Sequence, residues 1–263
     1  MWKQYSLYCP DNDFREEAVK HFQASAWQME ITVFLQGKYQ LTPTGPIGPD
    51  IRFHLPGMNI EVLVEAVSAK PGNGPDAVIA PATGQTYSPD DEGIILRLRN
   101  AIDAKIKQHS RWLTAGVVRS DQPLILAVTA GEISTAIDFM GLSHMEHALF
   151  PLDRGAWHVP VQLDADEEPT GTTEFKYGFR GSINKKNGSP ITTDVFVTNA
   201  AEYVSAVIYS PHHFVNSLRM NGSVFRLIHN PNALNPIPRD LLQCGIEAWV
   251  EADNLHFKDW RKP

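Results

Sequence analysis

Three residues of this 263-residue sequence combine a chemical type with a spacing that suits hydrolysis: Asp50, Glu65 and Lys105. Asp50 closes the run Gly48-Pro49-Asp50, and Glu65 follows Val62-Leu63-Val64. Residues 51–55 alternate apolar and polar side chains as a half-buried strand does. Pro56-Gly57-Met58-Asn59 makes a turn and residues 60–67 read as a second strand, so the pair forms a hairpin. That hairpin can bring the two carboxylates together. Paired carboxylates with backbone carbonyls make the oxygen-rich setting that Mg²⁺ or Mn²⁺ takes, and such an ion polarises phosphoryl oxygens and turns bound water into hydroxide. Each acid also has a plainer reading, Asp50 as a turn cap and Glu65 as a solvated strand residue. Glu65 resists the plain one, because Val62, Val64 and Ala66 mark one strand face and Leu63 and Val67 flank it on the other. A carboxylate between two apolar faces needs a partner or a metal. Glu61 competes for the ligand role from the more exposed strand entrance.

The lysine comes from a helix. Asp90-Asp91-Glu92 opens a helical stretch that runs to about Thr114 and stops at Ala115-Gly116. At ~100° per residue, Ile94, Ile95, Leu98, Ala101, Ile102, Ile106, Trp112 and Leu113 form one apolar stripe. Lys105 and His109 fall near its centre and Gln108 on its edge. A lysine among core positions must snorkel outward, pair with a carboxylate, or point into a polar site. A structural Lys–Glu pair is the plain alternative.

Gly48-Pro49-Asp50 followed by Val-Leu-Val-Glu65-Ala-Val67 resembles the metal-binding hairpin of the PD-(D/E)XK nuclease superfamily. The family's lysine, two residues after the glutamate, falls here on Val67, which cannot do that work. The resemblance implies that the lysine has migrated to the following helix, where Lys105 stands. Gln108-His-Ser-Arg-Trp112 resembles the Gln-x-x-x-Tyr element of RecB-like exonucleases, with Trp in place of Tyr. What the resemblance implies is concrete. Asp50, Glu65 and the carbonyl of Ala66 hold Mg²⁺ or Mn²⁺, with Glu17 or Glu16 as an extra helical carboxylate. Lys105 orients or deprotonates the attacking water, Gln108 positions the phosphate or a metal-bound water, and the substrate is DNA or RNA. A nuclease-fold binding module that has lost catalysis is the main alternative, favoured by Val67. The C-terminal half, including Ile208-Tyr209-Ser210 and His229-Asn230-Pro231, resembles that of bacterial proteins sharing this core.

The elements that must position these residues read as α/β with a mixed central sheet and flanking helices. Helical character covers residues 14–35, with a break, and stops at Gly37. Residues 70–90 are a Pro- and Gly-rich loop. Leu124–Val128 is a continuous apolar run, as in a strand buried on both faces, and residues 143–150 form a short helix. Residues 157–163, 194–198, 204–209 and 224–228 are further strand candidates, Asn187-Gly188-Ser189 is a turn, and Pro-rich turns at 231–238 lead into a tail with Trp249 and Trp260. The domain reading is a PD-(D/E)XK-like core over 1–135, with a strand-rich extension over 136–263 packed in the same domain.

Composition bounds the function. Hydrophobic residues at 43% and charged residues at 20% describe an ordinary globular chain. The net charge of −7 argues against a broad nucleic-acid-binding surface. It permits a nuclease whose metal supplies positive charge locally. Apolar runs are strand-sized, so no membrane span is expected. Two cysteines, Cys9 and Cys244, make no disulfide framework. The expectation is a cytoplasmic protein, with a homodimer as an open option. His144-Met-Glu146-His147 invites a zinc metallohydrolase reading, but it is not His-Glu-x-x-His and lacks an evident third ligand. His212, His213 and His229 read as turn or strand-end residues.

Overall fold

The structure is a computed structural model that describes residues 1–9, 13–138, 141–158, 174–217 and 223–262. The chain starts with short helices α1 (Trp2–Tyr5) and α2 (Phe14–Lys20) and then the longer α3 (Phe22–Gln36). His21, at φ −130° and ψ 51°, breaks α2 from α3. Strands β1 (Leu41–Thr42), β2 (Ile51–His54) and β3 (Glu61–Ser68) follow. Helix α4 (Asp91–Thr114) then crosses back to β4 (Leu124–Thr129). The Asp90 carboxylate caps α4 by accepting from Gly93 N–H, and Gly116, at φ +70°, takes the left-handed position just past its end. The loop from 70 to 90 contains no helix or strand.

After α5 (His144–Leu149) come β5 (Leu152–His158), β6 (Glu174–Phe179), β7 (Ser182–Asn184) and β8 (Pro190–Thr192). These pair as two separate two-stranded ribbons, β5–β6 and β7–β8. Strands β9 (Val204–Ser210), β10 (Arg226–His229), β11 (Ile246–Glu251) and β12 (Asn254–Asp259) complete the fold.

One eight-stranded sheet runs in the order β1-β2-β3-β4-β9-β10-β11-β12. It is mixed: β3, β4 and β9 are parallel neighbours, whereas β2–β3, β9–β10 and β11–β12 are antiparallel. The fold is thus α/β with a mixed central sheet and a strand-rich C-terminal half. Strands from both halves of the chain share this sheet, which β4 and β9 join directly.

The sheet carries a core on each face. On one side α4 and α5 bury Ile94, Leu98, Ile102, Met145 and Leu149 over Leu63, Leu126 and Val128. On the other, Trp27, Ile31 and Leu35 of α3 pack over Val62, Val64, Ile125 and Ala127. Each such side chain contributes ~1.5–3 kcal/mol through burial. Trp27 also donates its indole N–H to the Ala127 carbonyl at 2.8 Å, which fixes α3 against the central strand. Every residue of β4 is buried, as its unbroken apolar run requires.

Two readings of the C-terminal half are corrected. Residues 194–198 are a turn, not a strand, with Val197 and Thr198 N–H both donating to the Asp194 carbonyl. Val195 and Phe196 are buried as a plug in the α4-side core, so their apolar character reflects burial without sheet pairing. The tail around Trp249 holds β11 and β12, which extend the sheet. The strand expected over 157–163 lies mostly outside the described residues. Its described part belongs to β5, which starts earlier, at Leu152.

Candidate active site

Strand register creates the site. Ile51 pairs with Val64 in the antiparallel β2–β3 ladder, and continuing it by one step sets Asp50 opposite Glu65. Gly48, at φ +129°, takes a conformation that side-chain-bearing residues rarely adopt and leads the chain into Pro49-Asp50. Because β2 begins only at Ile51, the β3 edge beyond Val64 has no strand beside it. The Asp50 carboxylate fills that place: its Oδ2 accepts the Ala66 N–H at 2.8 Å. In return the Asp50 N–H donates to Glu65 Oε2 at 3.3 Å. Each acid is thus held by the other's strand.

Glu65 is only 3% exposed and lies on the α4 side of the sheet. Lys105 reaches down from α4 and its Nζ donates to Glu65 Oε1. Burial above all, and then the neighbouring Asp50 carboxylate, push the Glu65 carboxyl above the ordinary range, while Lys105 pulls it back. The opposite face contributes Gln28 of α3, whose Nε2 donates to Asp50 Oδ1 at 3.0 Å. The expected trio of Asp50, Glu65 and Lys105 is together, with Gln28 as an additional member.

Gln28 was hidden in the sequence because polar and apolar residues mix round α3 with little amphipathic period. Its one signal was position, next to Trp27 and Ile31 on the sheet-facing side. The helical carboxylate expected near residue 17 is elsewhere. Glu17 sits on an exposed stretch of α2, 3.0 Å from Lys20 and near His21. The break at His21 explains this, since α3 and not α2 is the helix packed on β3. Ala66 enters through its N–H, donated to Asp50. Gln108 does not meet the acids; it lines an outer groove of α4 with Lys107, Arg111 and Lys185. Glu61 is engaged at the strand entrance by Gln122 (2.6 Å) and Arg52 (3.7 Å).

The donor set suits a hard divalent ion. Mg²⁺ characteristically uses one or two carboxylates and completes its shell with waters and substrate phosphate. Asp50 and Glu65 supply two carboxylates, and the raised Glu65 marks a place where added positive charge is favourable. A carboxylate offers about four lone-pair sites, more than the two contacts Glu65 makes to Lys105 and Asp50. Among the described residues no three His, Cys, Asp or Glu side chains form a metal-holding group, so an ion held by Asp50 and Glu65 would draw further ligands from backbone, water or substrate.

The other polar clusters are structural in kind. His144 stands between two carboxylates, with Nδ1 at 3.0 Å from Asp138 and Nε2 at 3.0 Å from Asp91. Burial opposes its charge, but the two acids outweigh burial and raise the imidazole's pKa. His147 is engaged separately, by the Leu152 carbonyl at 2.9 Å. The pair therefore presents no shared metal position. Glu146 is fully buried, bound to Arg226 at 2.9 Å and to Ser143 in a capping box. His229 pairs with buried Glu247 at 2.8 Å.

No protein-family model, curated protein or solved structure matches this chain. No helix among the described residues is long and apolar enough to cross a membrane.

Proposed function

We propose that this chain is a metal-dependent nuclease that hydrolyses phosphodiesters of DNA or RNA at Asp50, Glu65 and Lys105, in the manner of the PD-(D/E)XK superfamily. One observation carries the reading: a lysine from the long helix contacts the buried glutamate of a cross-strand acid pair. This offsets the departure at Val67, since the lysine's charge arrives from α4 instead. Helix α3, hairpin β2–β3, helix α4 and parallel strand β4 occur in the order that the resemblance implies.

In this reading Asp50 and Glu65 hold Mg²⁺ or Mn²⁺, which supplies Lewis acidity toward the phosphoryl oxygen and acidifies bound water. Asp50 is kept in orientation by the Ala66 N–H and by Gln28. Glu65 is fixed by the Asp50 N–H and Lys105. The Lys105 ammonium stabilises the negative charge that develops on the phosphorane and orients the attacking water.

The second reading is a nuclease-fold binding module without catalysis. Val67 at the usual lysine position and the net charge of −7 favour it. Incubation of the purified protein with single- and double-stranded DNA and RNA, with Mg²⁺ or Mn²⁺, separates the two. Cleavage is expected in wild type, lost in EDTA and lost in Glu65→Ala. Glu65→Ala cutting at the wild-type rate would remove Glu65 from the mechanism, and binding with no cleavage of any substrate would select the module.

A further inference from the structure

Outside the acid site, α4 carries a groove of 660 Å³ whose far wall includes Lys185 and Ile191 of the β7–β8 hairpin. Asn100, Asp103, Lys107, Gln108, Arg111 and Trp112 line the helix side. On a chain of net charge −7, this groove is basic. Its only acid, Asp103, is already neutralised by Arg99 at 2.6 Å. The ammonium groups of Lys107 and Lys185 and the Arg111 guanidinium make no salt bridge to a described residue, so three cations face one open space.

Spacing gives these cations a direction. Lys107 and Arg111 are one turn apart, about 6 Å along the axis, which is the order of the distance between neighbouring phosphates of one strand. Gln108 and Trp112 edge the same groove and fall three and seven residues after Lys105. Lys107 and Arg111, two and six residues after Lys105, stand about 160° and 120° round the helix from it, so the cations face outward and Gln108 and Trp112 form the rim on the Lys105 side. Gln108, between Lys107 and Arg111, and Asn100, two turns before Lys107, add amide donors to the groove. The half-buried Trp112, packed against the α4-side core, adds an aromatic ring to the groove wall.

We infer that this groove binds the polynucleotide backbone on the outer face of α4, with Lys107, Arg111 and Lys185 taking phosphates of a strand that reaches the acid site past the Gln108–Trp112 rim. The inference rests on the nuclease reading and adds where the substrate lies. It also reconciles an acidic protein with a polyanionic substrate, since three cations gather in one channel. Charge complementarity of this sort supplies sequence-independent affinity and salt dependence.

The test is fluorescence polarisation with labelled single-stranded DNA, the matching RNA and duplex DNA, in Ca²⁺ to prevent cleavage. Lys107→Glu with Arg111→Glu should weaken binding at least ~10-fold, because two attractions become repulsions. Lys107→Ala with Arg111→Ala should flatten the dependence of log K on log salt by ~1.5–2. Lys20→Ala with Arg119→Ala, which removes two exposed cations outside the groove, should bind as wild type does. Circular dichroism of each variant checks the fold, and both groove positions are exposed. Unchanged affinity and salt slope in both groove variants, with wild type binding and cutting, would overturn the groove and leave the nuclease reading standing. Wild type that neither binds nor cuts any of the three probes would overturn both.

Discussion

Lys105→Met should lower the rate of phosphodiester cleavage by ~10²–10³, about 2.7–4 kcal/mol of transition-state stabilisation, while the protein stays folded. Methionine keeps the unbranched stem that packs along the apolar stripe of α4 and removes only the charge. The fold tolerates the loss because Glu65, whose carboxyl burial already pushes upward, can take a proton when its cation goes. Single-turnover cleavage by wild type and variant, beside their urea melts, reads both quantities. Equal cleavage rates would show that Lys105 is only a structural partner of Glu65. His109 would then be next, being buried one turn later on α4.

Glu146→Leu should have the reverse profile, with a loss of about 3–5 kcal/mol in unfolding free energy. Glu146 is 0% exposed and serves two partners at once. One carboxylate oxygen receives Arg226 at 2.9 Å, and the other receives the Ser143 N–H and hydroxyl that open α5. Leucine fills the volume but leaves the Arg226 guanidinium, itself only 15% exposed, without its acid. It also breaks the capping box, worth ~1 kcal/mol by itself. Glu146→Gln, which keeps the volume and an acceptor oxygen for one of the two partners, should lose less. Urea denaturation of the three proteins gives the comparison, and a Glu146→Leu midpoint equal to wild type would mean the pair is not structural.

Much of the site could be read in the sequence, because local rules govern the elements that carry it. Helix α4 announces both ends, with Asp90 as cap and Ala115-Gly116 as stop, and its apolar period exposes Lys105 as an intruder. The hairpin follows from alternation and the Pro56-Gly57 turn, and its register then sets Asp50 against Glu65. What stayed hidden depends on tertiary placement. Gln28 joins the site only because α3 lies across β3, a fact that the helix's weak apolar period does not encode. Residues 194–198 carry the apolar run Val195-Phe196-Val197 yet form a turn, because Val195 and Phe196 are buried in the α4-side core without a neighbouring strand to pair with. Strands β11 and β12 were missed for the opposite reason. Their pairing with β10 and with each other completes the sheet edge, but only Trp249 and Trp260 hinted at burial. The Asp91–His144–Asp138 cluster joins residues far apart in sequence, and spacing alone suggested zinc instead.

The most direct test of the account is Mn²⁺ titration followed by electron paramagnetic resonance, with wild type beside an Asp50→Asn, Glu65→Gln double variant of verified fold. The account predicts one bound Mn²⁺ per wild-type chain. Because the ion needs the Glu65 carboxylate ionised and that carboxyl is raised, affinity should increase with pH and binding should release a proton. The double variant should bind no Mn²⁺ at the concentrations that saturate wild type. Equal Mn²⁺ binding by the two proteins, or none by wild type at any pH where it is folded, would contradict the claim that Asp50 and Glu65 form a metal site.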